Sequence, residues 1–164
     1  MAKHSQRIEQ ISLNHHGEIM NLFSKHFELT EKYLSKIFDA CNNMYFDNSL
    51  IKIPVNIIDS TEVNGYFKFD IDFENKILKN PRIEISKTHK RPYEALERTM
   101  LHEMIHYKIF LELTGGEIAA AFDAYNTENT DLFNKILYLE NYAHGNKWNS
   151  YVTDINNKYN LKIS

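Results

Sequence analysis

The hydrophobic period of this chain changes twice, and that change limits the folds open to it. In TEKYLSKIFDACNNMYF, Tyr33, Leu34, Ile37, Phe38, Cys41, Met44 and Tyr45 recur at helical spacing, with Thr30 as the expected N-cap and Asp47-Asn48-Ser49 as the stop. Three stretches then turn short and rich in β-branched and aromatic residues: IKIPVNIID, GYFKFDID and PRIEIS. Pro54 cannot donate a ladder hydrogen bond, which places it at a sheet edge or a strand start. The second and third strands are expected to form a hairpin or meander whose tip is Asn75 or Asn80.

Past Pro92 the helical period returns in YEALERTMLHEMIHYKIFLELTGG, where Leu96, Met100, Ile105, Ile109 and Leu113 supply apolar positions and Gly115-Gly116 is the expected stop. Residues 117–125 and 131–142 read as two further helical pieces. NKWNSYVTDINNKYNL reads as a last helix with Trp148, Val152, Ile155 and Tyr159 along one stripe. Helices, then strands, then helices predict an α+β fold with a small, three-stranded, mostly antiparallel sheet.

At 164 residues the chain can bury about two-thirds of its unfolded surface in one core. No repeat, low-complexity tract or linker divides it, so a single domain over residues 1–164 is expected, with residues 1–29 as an N-terminal helical extension. A net charge of -3 gives no overall field that favours phosphate backbones. The single cysteine, Cys41, excludes an internal disulfide and a Cys-based zinc cluster and suits a reducing compartment. The N-terminus lacks an apolar signal core, and no run approaches the roughly 20 apolar residues of a membrane span. A cytoplasmic location without a membrane partner is the expectation.

The stretch LHEMIHYKIF carries the chemistry. Residues four apart stack on one helix face, so His102 and His106 can offer imidazole nitrogens to one ion at about 2.0–2.1 Å. Glu103 flanks the pair, where its carboxylate can take a proton from an attacking water. The plainer reading, two satisfied histidines on an ordinary helix, is weakened by the apolar flanks that make this helix a core element. A catalytic zinc needs a third protein ligand, for which Glu117, Asp123, Glu128, Glu140 and His144 are the downstream candidates. His144 is preferred and Glu140 comes second. In AHGNKW, Gly145 would let the backbone turn behind the ligand, and Trp148 would anchor the next helix beneath it.

These segments resemble the SprT-like zinc metalloprotease domain over roughly residues 30–162, in a minimal form without the Cys-rich zinc ribbon. FDACNNMYFDNSLIKIPVNI is similar to the family's helix, Asn-x-x-Tyr-Phe and first strand. NGYFKF is similar to its Gly-containing second strand, HEMIH to its metal helix, and HGNKWNSYVTDINNKYNL to its His-Gly segment and final helix. The resemblance implies a minimal zincin-like metalloprotease fold, one zinc ion per chain held by His102, His106 and His144, and Glu103 as general base. It also implies protein substrates, among them DNA-bound or DNA-crosslinked proteins. The competing reading is a non-catalytic, zinc-stabilised DNA- or protein-binding module, whose site would be closed by a fourth ligand such as Glu117, Asp123 or Glu140. A third reading, a peptidase that cuts repressor-type regulators, shares the metal helix and differs only in substrate.

Three further expectations concern what surrounds the motif. Tyr66, Tyr107, Tyr142 and Arg98 are chemically able to stabilise an oxyanion, and nothing in the sequence selects among them. KTHKRPYEALER gathers Lys87, Lys90, Arg91 and Arg98 into a short basic cluster able to touch DNA phosphates. An exposed edge strand at NGYFKFD would bind an extended substrate by strand addition.

Overall fold

The structure is a computed structural model and describes residues 29–88 and 91–164. Its elements are helix α1 (Glu31–Tyr45), strands β1 (Val55–Ile58), β2 (Gly65–Asp72) and β3 (Ile77–Ser86), and the long helix α2 (Tyr93–Leu111). There follow α3 (Gly115–Asn126), α4 (Thr130–Ile136), a 3-10 turn (Glu140–Tyr142) and α5 (Asn146–Tyr159). The class is α+β, as the change of period predicts. Apart from residue 29, the N-terminal extension lies outside the described residues, as does Lys90. Residues 31–164 form one compact unit.

Helix α1 buries the expected stripe of Tyr33, Leu34, Ile37, Phe38 and Cys41. Asn42 joins them because its side-chain amide grips the chain beyond the helix, donating to the Leu50 carbonyl at 2.8 Å and accepting from the Leu50 N–H at 3.1 Å. Asp47 and Asn48 reverse the chain in the left-handed region, at φ 52° and 57°, which their short polar side chains tolerate.

The sheet has the order β1-β3-β2 and is mixed rather than mostly antiparallel. β2 and β3 form the predicted hairpin, with Asn75 in its turn and the Asp72 carboxylate accepting the Asn75 N–H at 3.0 Å. β1 pairs parallel with β3, in register from Val55 opposite Ile83 to Ile58 opposite Ser86. The geometry has a simple cause. β2 lies on the far side of β3, so the chain returns along β2 and runs up β3 in the direction of β1. Asn80 is not the hairpin tip; it lies within β3 at φ 54°, near the register shift between Lys68 and Asp70. β1 starts directly after Pro54 and is an edge strand, the first of the two placements the proline allows.

Helix α2 is the centre of the molecule and packs against β2, β3, α1 and α5. Met100, Leu101, Met104 and Ile105 are fully buried, so the helix meets protein on most of its circumference. It ends at Leu111, not at the glycine pair. Gly115 and Gly116 instead open α3, because Thr114 and Glu117 form a reciprocal capping box that starts a new helix there. Glu112, at the end of α2, pairs with Lys147 at 2.9 Å and accepts the Tyr151 hydroxyl, which fixes α5 against α2.

Gly65 is where β2 comes closest to α2. A Cβ there would meet Thr99 Cγ2 at 3.0 Å, Ile85 Cδ1 at 3.1 Å and the Glu84 carbonyl at 3.2 Å. Gly65→Ala is therefore expected to cost about 1–3 kcal/mol through overpacking, read as a lower urea midpoint at unchanged m-value. An unchanged midpoint would show that β2 can move away from the helix freely.

Candidate metal centre

Helix α2 places His102 and His106 one turn apart with ring centroids 5.0 Å from each other. The third histidine comes from the short turn that precedes α5. His144 Nε2 lies 3.0 Å from His102 Nε2 and 3.1 Å from His106 Nε2, and the three donor atoms all fall within 4.8 Å of one another. A tetrahedral ion with bonds of about 2.0–2.1 Å holds its nitrogens about 3.3 Å apart, so the separations from His144 Nε2 to the other two are close to what one ion would require. Among the described residues this is the one group of three or more His, Cys, Asp or Glu side chains able to hold a metal.

Gly145 serves this turn differently from the sequence expectation. Its φ of -74° and ψ of -169° are extended values open to any residue, and it acts as the N-cap of α5. What restricts the position is space, since a Cβ would stand 3.3 Å from the Tyr142 carbonyl. Asn149, unremarked in the sequence, holds the turn by donating to the carbonyls of His144 at 3.0 Å and Gly145 at 3.1 Å. Trp148 lies beneath the site as expected and is 5% exposed. Its ring centroid lies 4.5 Å from that of His144, 4.9 Å from His102 and 5.8 Å from His106, so one indole supports all three imidazoles. Its Nε1 is buried and has no hydrogen-bond partner among the described residues.

A second contact orients the first ligand. His102 Nδ1 is 2.8 Å from the Ser164 carbonyl oxygen. A carbonyl accepts only, so the Nδ1 proton is fixed and the Nε2 lone pair faces the centre. The tail reaches this place because Asn160 turns at φ 54° and Asn156 grips Ile163 through both its N–H at 2.9 Å and its carbonyl at 3.1 Å. Asn156→Ala is expected to weaken binding of a metal at the three histidines by about 10–100-fold, the usual cost of losing an outer partner of a metal ligand. Competition with a chromophoric chelator measures it, and unchanged affinity would show that the tail does not orient His102.

The electrostatics favour neutral imidazoles, the form that ligates. Burial, reinforced by His102 and His144, pushes His106 down to about 3. Burial and His144 also lower His102, opposed by its bond to Ser164. Glu103 is 5% exposed and accepts the Phe67 backbone N–H, yet burial pushes its carboxyl up to about 8. A cation beside it acts in the opposite direction and favours the carboxylate.

The other ligand candidates are elsewhere or otherwise engaged. Glu140 accepts from Asn134 Nδ2 at 2.9 Å, and Glu117 is held in the α3 capping box. Asp123 and Glu128 are exposed and outside the cluster. No carboxylate among the described residues joins the three histidines. Of the oxyanion candidates, the Tyr107 hydroxyl donates to the Ile51 carbonyl at 2.9 Å and the Tyr142 hydroxyl to Asp131 Oδ1 at 2.6 Å. Only Tyr66 and Arg98 line the cavity over the histidines, whose volume is about 750 Å³.

The described members of the basic cluster, Lys87, Arg91 and Arg98, meet different surroundings. Lys87 lies 3.5 Å from Asp59, and Arg91 points inward to the Ser86 carbonyl at 2.6 Å and Thr99 Oγ1 at 3.0 Å. Arg98 belongs to the cavity. Among the described residues no helix is long and apolar enough to cross a membrane. No protein-family model matches the chain, and no curated protein matches it.

Proposed function

We propose that this chain is a zinc-dependent endopeptidase of the SprT-like kind, acting on flexible segments of protein substrates. The observation that carries the reading is the convergence of three imidazole Nε2 atoms beside a buried carboxylate, with no fourth protein ligand among the described residues. Zinc bound there would acidify a water and polarise a peptide carbonyl. His102, His106 and His144 would hold the ion, the first oriented by Ser164 and all three supported by Trp148. Glu103 takes the proton of the attacking water and passes it to the leaving amine, while the Phe67 N–H fixes the carboxylate.

The open position is also what weighs against the non-catalytic module, because a structural zinc site is closed by four protein ligands. Burying Glu103 is costly, and a purely structural centre gains nothing from it. Cytoplasmic peptide or protein substrates suit this reading. Action on DNA-bound or DNA-crosslinked proteins rests on the family resemblance alone.

β2 is an edge strand whose Phe67 N–H points at Glu103, so the edge that β3 does not use borders the site. An extended segment can add to such an edge through backbone bonds, but a folded one cannot. The expected result is cleavage of a disordered protein at least 10-fold faster than that of the same sequence held in a folded, disulfide-locked state, followed by electrophoresis. Equal rates on both would rule out binding by strand addition.

A further inference from the structure

The cavity is polarised along α2. One turn before His102 on the same helix face stands Arg98; one turn after His106 stand Ile109 and Phe110. The first end is cationic. Arg98 and Lys162 both line it, both are exposed, and neither has an ion-pair partner among the described residues. Glu62, exposed on the loop before β2, lines the cavity too, as does Arg91, whose guanidinium donates to the Asn64 and Ser86 carbonyls. The other end is apolar: the rings of Phe69 and Phe110 pack with centroids 4.9 Å apart, and Leu137 and Leu139 continue that surface. Glu140 also lines the cavity, but its carboxylate is engaged by Asn134.

β2 gives this polarity a direction. It runs beside α2 in the same sense, with Gly65 against Thr99 at one end and Phe69 against Phe110 at the other. Antiparallel pairing is the more stable per residue, and a peptide added that way to the free edge runs from Phe69 towards Gly65. Its N-terminal half then lies over the apolar end and its C-terminal half reaches Arg98 and Lys162. One helical turn is about 5.4 Å, which a strand covers in about two residues.

We propose that Arg98 and Lys162 select extended peptides carrying acidic side chains one to three residues beyond the scissile bond on its C-terminal side. This deepens the peptidase reading and rests on it. An exposed charge pair is worth roughly 2- to 5-fold, so two cations acting together give roughly 5- to 20-fold between acidic and neutral peptides.

The test compares three fluorescein-labelled peptides, identical except for Glu, Gln or Lys at the second position after the bond cut. Binding to the zinc-loaded Glu103→Gln protein is followed by anisotropy, and cleavage by the wild type is measured in parallel. The expected order is Glu, then Gln, then Lys, reversed in protein that also carries Arg98→Glu and Lys162→Glu. Equal binding of the three, or an order that survives the double reversal, overturns the assignment, as does selection for acid on the N-terminal side. A thymidine oligonucleotide that outcompetes the Glu peptide through Arg98 and Lys162 would also overturn it, in favour of a nucleic-acid ligand. No cleavage of any of the three peptides would sink the peptidase reading and the selectivity with it, whereas cleavage of all three at equal rates would sink the selectivity alone.

Discussion

Glu103→Gln is expected to bind zinc as the wild type does and to lose cleavage of a disordered protein by about 10²–10⁴-fold, the usual contribution of a positioned acid–base group. Glutamine keeps the shape and can still accept the Phe67 N–H through its amide oxygen, but it cannot take a proton at neutral pH. The fold should tolerate the change. Glu103 is buried with its carboxyl pushed up to about 8, so exchanging it for a neutral isostere removes a desolvation cost in the metal-free protein. A higher Tm for the metal-free variant together with lost activity is the expected pair of results. Cleavage within a few-fold of wild type would remove Glu103 from the mechanism.

The second large effect is expected at His144. His144→Ala removes one of three Nε2 donors and leaves His102 and His106, which two turns of any helix can supply. Losing an outer partner of a ligand already costs 10–100-fold in affinity, so losing the ligand should cost more than about 100-fold. Equilibrium dialysis against zinc measures this. The substitution also tests the choice among ligand candidates, because Glu140→Ala should leave zinc affinity within a few-fold of wild type. Glu140 is engaged by Asn134 and outside the histidine cluster. The reverse pattern, with Glu140 required and His144 dispensable, would refute the centre described here.

Local periodicity made α1, α2 and α5 legible in the sequence, and residues four apart on α2 could be placed on one face without any tertiary knowledge. His144 was legible for a weaker reason, its place before an anchoring tryptophan. What could not be read is the set of contacts made across long sequence separations. The parallel pairing of β1 with β3 depends on β2 lying outside β3, and neither strand's composition encodes that order. The contact between His102 and Ser164 joins residues 62 positions apart and uses a main-chain carbonyl, which any residue would supply. The Phe67 N–H on Glu103 is another backbone group and leaves no residue-type signal.

One sequence expectation failed through competition between local rules. The glycine pair at 115–116 is a helix-stop signal, but the Thr114–Glu117 capping box makes it a helix start. Of the described basic residues between Lys87 and Arg98, Lys87 lies by Asp59, Arg91 donates to the Asn64 and Ser86 carbonyls and Arg98 lines the cavity, placements that a run of like charges does not encode.

The proposed turnover of peptide bonds at the three-histidine centre is tested most directly by a time course of disordered-protein cleavage by the purified chain, with bound metal counted by mass spectrometry on the same sample. About one zinc per chain is expected, with cleavage that stops on chelation and returns with stoichiometric zinc. One zinc per chain with no cleavage would contradict the peptidase and favour the closed module, and a chain that binds no zinc would contradict the metal centre itself.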